Sequence, residues 1–123
     1  MDEIKRCLDT YALVEIKLGN PNYEFIMKSN FIIADITLAE FYSVLLREEN
    51  EQTANYWIKK LEYNSRSVSR EILIEAVKFR HENKKTNISF YDAVGYIFSL
   101  KHNCVFVTGD KEFKNFEKVE FIK

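Results

Sequence analysis

The chain has 123 residues, enough for one domain with a substantial core, and no apolar run near the roughly 20 residues that cross a bilayer. It is 46% hydrophobic and 15% aromatic with three Gly and one Pro, which excludes a disordered or linker-like polymer. The net charge of −1 excludes a uniformly basic nucleic-acid binder, although residues 59–85 hold eight Lys/Arg against four Glu. That run permits a basic face opposite an acidic centre, and ordinary solvated helix faces account for it equally well.

The N-terminal run Met-Asp-Glu-Ile-Lys-Arg lacks the basic-then-apolar pattern of a secretory leader, so an intracellular, cytoplasmic protein is expected. Ile4 to Leu8 reads as a short first strand with Asp9-Thr10 directly after it. Tyr11 to Leu18 then has helical spacing, stopped at Gly19. Asn20-Pro21-Asn22 is a turn whose Pro opens a short helix over Tyr23 to Lys28. Phe31 to Ala34 is a second buried strand running into Asp35-Ile36-Thr37.

The clearest helix is Leu38 to Glu48, where Leu38, Phe41, Tyr42, Leu45 and Leu46 share one apolar face and Glu40 lies off it. Another spans Glu51 to Tyr63. Asn64 to Val68 is a mostly polar connection, and Ser69 to Asn83 is again helical. After a loop over Lys84 to Asn87, Ser89 starts a helix that carries Phe90, Ala93, Val94, Ile97 and Leu100 inward. Cys104 to Thr108 is a continuous apolar run of strand formers, the pattern of a strand buried on both faces of a parallel sheet. It ends in Gly109-Asp110, where the glycine gives the backbone room to turn. A short helix over Lys111 to Phe116 and a strand from Val119 to Ile122 close the chain. Alternating strands and helices predict a single α/β domain over 1–123, with a mainly parallel sheet and helices on both faces.

Parallel strands present their C-terminal ends on one edge, where ligands bind in open α/β sheets. Asp9 follows the first strand, Glu40 lies one turn into the helix after the second, and Asp110 follows the third long strand. Asp92 sits early in the helix that feeds that strand, and Asp35 is a fifth candidate. Each acid also has a capping explanation. Thr37-Leu-Ala-Glu40 and Ser89-Phe-Tyr-Asp92 fit the reciprocal capping box or a close variant, and Asp9 and Asp110 suit N-caps. If four carboxylates meet, they require either protons or a divalent cation, and all-oxygen ligands select Mg2+ or Mn2+. Such a site suits phosphodiester hydrolysis. Cys7 and Cys104 read as small core hydrophobes, and with His81 and His102 they lack the spacing of a zinc site. His102, at a helix end, suits the helix dipole better than the role of catalytic base.

Four ordered pieces resemble the PIN domain family, and within it the VapC-type toxins. They are Cys-Leu-Asp9-Thr-Tyr-Ala-Leu, Ile-Thr-Leu-Ala-Glu40-Phe, Ile-Ser-Phe-Tyr-Asp92-Ala and Val-Phe-Val-Thr-Gly-Asp110-Lys-Glu-Phe. The resemblance implies a three-layer fold with a twisted parallel sheet and a metal-dependent endoribonuclease. Asp9, Glu40, Asp92 and Asp110 would hold Mg2+ or Mn2+, with Thr10 and Thr108 in support. It also implies a homodimer and a small antitoxin protein as partner, with RNA as substrate. Arg66, Arg70, Lys78 and Arg80 are candidates for RNA-phosphate contact that no family motif supports individually. Val94, Tyr96, Ile97 and Phe98 depart from the small residues that often follow the third acid, with consequences expected for packing and for a dimer surface.

Two rivals use the same pieces. A haloacid-dehalogenase-type phosphatase needs a second Asp where this chain has Tyr11 and an acid where it has Lys114. A catalytically inactive PIN-like module for RNA or protein binding is opposed by retention of all four acids.

Overall fold

The computed structural model describes residues 3–123; Met1 and Asp2, the start of the charged N-terminal run, lie outside the described residues. The elements are β1 (Lys5–Leu8), α1 (Thr10–Lys17), a 3-10 helix (Pro21–Lys28), β2 (Asn30–Ala34), α2 (Asp35–Glu48) and α3 (Glu51–Leu61). They continue with β3 (Ser65–Arg66), α4 (Arg70–Glu82), α5 (Phe90–Lys101), β4 (Val105–Thr108), a 3-10 turn (Lys111–Phe113) and β5 (Val119–Phe121). No helix among the described residues is long and apolar enough to cross a membrane.

The five strands form one sheet in the order β3-β2-β1-β4-β5, and every neighbouring pair is parallel. Side chains alternate across the strands as the period of two requires. Cys7, Ile32, Ala34 and Phe106 face a cluster completed by Ile72 and Ala76 of α4 and by Ala93, Val94, Ile97 and Phe98 of α5. Leu8, Phe31, Ile33 and Val107 face the other way, onto Leu13 of α1, Tyr23 and Ile26 of the 3-10 helix, and Phe41, Leu45 and Ala54 of α2 and α3. Both faces are therefore covered, which is why β2 and β4 read as largely apolar runs.

Three details differ from the sequence reading. β3 falls inside the polar connection at residues 64–68; it pairs Ser65 and Arg66 with Ile33 and Ala34 at the sheet edge. α2 starts at Asp35 rather than Leu38, with no side-chain cap at Ala34, so Thr37 lies within the first turn and is buried. The reciprocal box expected between Thr37 and Glu40 does not form. Val94 and Ile97 are buried as their inward spacing predicts, while Tyr96 and Phe98, which that face did not include, are buried as well. The Tyr96 ring sits 5.4 Å from Phe113 and 5.5 Å from Phe106, and its hydroxyl donates to the carbonyl of Glu117 at 2.8 Å.

Strand order reverses between β1 and β4, because the chain first moves outward through β2 and β3 and then returns to the other side of β1. Loops that diverge at such a point leave a crevice beyond the strands' C-terminal ends. Asp9 leaves β1 and Asp110 follows β4, so these two acids flank it.

Candidate active site

Asp9 is 3% exposed and caps α1, with one carboxylate oxygen accepting from the Ala12 N–H at 2.8 Å. Its own N–H donates to the carbonyl of Val107 at 3.3 Å, which ties the end of β1 to β4. Thr108, fully buried, provides a hydroxyl that hydrogen-bonds Asp9 and also accepts from the Asp110 N–H at 3.0 Å. Asp110 in turn accepts from the Glu112 N–H at 3.0 Å. On the other side, Ser89 caps α5 by accepting from the Asp92 N–H at 3.1 Å, and Glu40 of α2 accepts the Thr10 hydroxyl at 2.5 Å.

Asp9 and Asp92 are buried, and neighbouring carboxylates bear on both. Burial raises the Asp9 pKa to about 8, and the charges of Asp92 and Asp110 add to that rise while Thr108 and Ala12 oppose it. Burial likewise raises Asp92 to about 6; Glu40 and Asp110 push it further, against hydrogen bonds from Ser89. Asp110 thus bears on both Asp9 and Asp92, Asp92 bears on Asp9, and Glu40 bears on Asp92 alone. Among the described residues, no three His, Cys, Asp or Glu side chains form a ready-made cage for an ion. The donor set is nevertheless all oxygen with an excess of negative charge, and that chemistry fits a hard divalent cation.

Two residues tighten the site without having been singled out by pattern. The Tyr11 ring fills the space that a side chain on residue 109 would occupy: a Cβ on Gly109 would collide with the ring and stand 2.6 Å from the Ile122 carbonyl oxygen. Gly109 is thus required by close approach rather than by the turn. Glu112 accepts from the Asn87 N–H at 3.0 Å, which anchors the loop before α5 to the Asp110 turn. The pairing of an apolar strand with Gly-Asp is the signal that could have found Tyr11; nothing local marks Glu112.

A profile of the PIN domain matches residues 6–119. The chain belongs to the PIN domain family. No curated protein matches the sequence. Solved structures share the fold at low identity. A VapC toxin of Mycobacterium tuberculosis described as cleaving the sarcin–ricin loop is 16% identical, covers 94% of this chain and 98% of its own, and superimposes with a TM-score of 0.77. The DNA-bound VapBC2 complex of Rickettsia felis is 20% identical over 97% of this chain and 98% of that one, with a TM-score of 0.74. A toxin–antitoxin complex from Klebsiella pneumoniae is 20% identical, covering 94% and 95%, also at 0.74.

The remaining candidates of this PIN domain lie apart from the acids. Asp35 is exposed at the start of α2, beside Leu38, Ala39, Tyr42 and Ile58, and is not among the charges that raise Asp9 or Asp92. Arg66 donates to the backbone carbonyls of Tyr63 and Ser65 at 3.0 and 2.8 Å. Arg70 opens α4; Lys78 lies in a groove with Glu75 and Glu82, and Arg80 lines a different cavity. The His102 ring stays within 2.9 Å of the Phe98 carbonyl, as a helix-end residue. Cys7 and Cys104 are buried and unpaired with each other as thiols.

Proposed function

We propose that the protein is a Mg2+- or Mn2+-dependent endoribonuclease and the toxin of a toxin–antitoxin pair. The observation that carries the reading is electrostatic: at the switch point of a PIN sheet the carboxylates of Asp9 and Asp92 are buried, the charge of Asp110 bears on both, and that of Glu40 bears on Asp92. Asp9, Glu40, Asp92 and Asp110 would hold the ion, with Thr108 orienting Asp9 and Thr10 orienting Glu40. When bound, the ion supplies an activated water and offsets charge on the phosphodiester. The chain's own contribution is to hold the acids in fixed directions: the Ala12 N–H and the Thr108 hydroxyl favour the ionised form of Asp9, Ser89 that of Asp92. No Ser–His or Cys–His pair takes part.

Structural likeness to toxins and toxin–antitoxin complexes supports a small antitoxin partner and a cytoplasmic setting. A homodimer is part of the same reading. The test is cleavage of structured RNA with Mn2+, with chelator, and with Asp9→Asn. Loss of cleavage in the last two supports the reading; equal cleavage by wild type and Asp9→Asn overturns it.

A further inference from the structure

The eight Lys/Arg of residues 59–85 stay without acidic partners inside the fold. Among the described residues, none of them has a nitrogen within 4.0 Å of a carboxylate. Two of the three α4 acids, Glu71 and Glu75, are engaged by Lys101 of α5 at 3.7 and 3.0 Å, and the third, Glu82, lines a separate groove. At the C-terminal end of α4, part of this charge gathers around one cavity of about 340 Å³. Arg80, His81, Asn83, Lys84, Thr86 and Ile88 line it, and no carboxylate does.

The cavity is built rather than incidental. The Arg80 Nε–H donates to the Ile88 carbonyl at 3.0 Å, which fixes the plane of the guanidinium and leaves both terminal nitrogens without a hydrogen-bond partner among the described residues. The loop that forms its wall is held as well: the Thr86 hydroxyl donates to the Asn83 carbonyl at 2.6 Å, and the Asn83 side chain donates to the Phe79 carbonyl at 2.9 Å. An oriented fork with free donors, next to an ammonium, matches the oxygens of a phosphodiester.

Its place relative to the acids gives it a use. Ile88 precedes Ser89, which caps α5 at Asp92, and four residues of chain limit the Ile88–Asp92 Cα separation to about 14 Å. The neighbouring Asn87 N–H is bonded to Glu112 of the Asp110 turn. We infer that the Arg80–His81–Lys84 cavity is a phosphodiester-binding subsite that holds an RNA backbone phosphate flanking the scissile one. This subsite rests on the ribonuclease reading for its role, whereas its binding of RNA can be measured without cleavage.

The experiment titrates a fluorescent single-stranded RNA with the full chain in EDTA over a range of salt, alongside cleavage kinetics with Mn2+. Arg80→Gln/Lys84→Gln is expected to weaken binding about 10- to 100-fold. Two lost phosphate contacts should also lower the salt slope by about 1.4. KM should rise while kcat is kept. Lys84→Glu touches no backbone hydrogen bond and should weaken binding on an unaltered thermal melt, and Arg80→Lys should fall between wild type and Arg80→Gln. Lys59→Gln/Lys60→Gln on α3 should change binding little. Unchanged affinity and salt slope in the first variant would overturn the subsite, as would an equal loss in the α3 variant. Arg80-dependent RNA binding by a wild-type protein that cleaves nothing would sink the nuclease reading and leave the subsite standing.

Discussion

Thr10 donates its hydroxyl to the carboxylate of Glu40 at 2.5 Å, joining the residue after Asp9 to an acid thirty positions away. The bond spans α1 and α2 and turns Glu40 toward the edge where Asp9 and Asp92 lie. Glu40 thus serves Thr10, while the N-terminus of α2 at Ala34 carries no side-chain cap.

Removing the bond should disorient Glu40 without unfolding the chain. Thr10→Val is expected to lower kcat/KM or Mn2+ affinity by roughly 10- to 100-fold. Stability should change by no more than about 1.5 kcal/mol. Thr10→Ser should retain most activity. Metal titration of the cleavage rate, with a urea melt beside it, separates the two effects.

A second expectation concerns pH in the metal-free protein. Asp9 is raised to about 8 in the fold against about 3.9 when unfolded, so the folded state binds more protons between those values. Stability is therefore fully present below about pH 4 and is lost as pH rises toward 8, with Asp92 contributing between about 4 and 6. Thermal melts in EDTA should fall across this range. Asp9→Asn should flatten the upper part, and Mn2+ should oppose the fall by compensating the ionised acids. Melts that rise with pH in EDTA would contradict the arrangement.

Gly109→Ala places a methyl group against the Tyr11 ring and the Ile122 carbonyl. Overpacking of this kind costs about 1–3 kcal/mol. Adding Tyr11→Ala should recover only part of the loss, because the backbone contact remains. Chemical denaturation of the single and double variants checks the difference.

Cys7 and Cys104 should resist thiol reagents in the native protein. Burial pushes the Cys7 thiol up, and the Cys104 and Asp9 charges push it further; burial also raises Cys104, against the opposing charges of Lys5 and Lys118. Since the thiolate is the reactive form, an Ellman titration should find both thiols only after unfolding in guanidinium. Rapid reaction at native pH would show that the β1–α5 packing opens readily.

The long elements were legible because each carries a repeated signal. Helix α5 repeats apolar residues at helical spacing over three turns, although the fold buries Ala93 to Ser99 on every side, and β4 is an apolar run bounded by Gly109. β3 was not legible: two polar residues cannot display a period, and their strand geometry comes from pairing with Ile33 and Ala34. The start of α2 was misplaced for a related reason. Thr37 and Glu40 have the spacing of a cap, but packing buries the threonine and Thr10 claims the glutamate.

Acid identity and order, strand type and the basic run at 59–85 were determined by the sequence alone, since they depend on residue type and local period. Tertiary structure decided how the charges are used. It set Asp9 in a dry position where burial and the charges of Asp92 and Asp110 raise its pKa, and it gathered Arg80 and Lys84 around a cavity that no carboxylate lines. Burial and long-range pairing are properties of neighbours, and a parallel sheet draws those neighbours from distant parts of the chain.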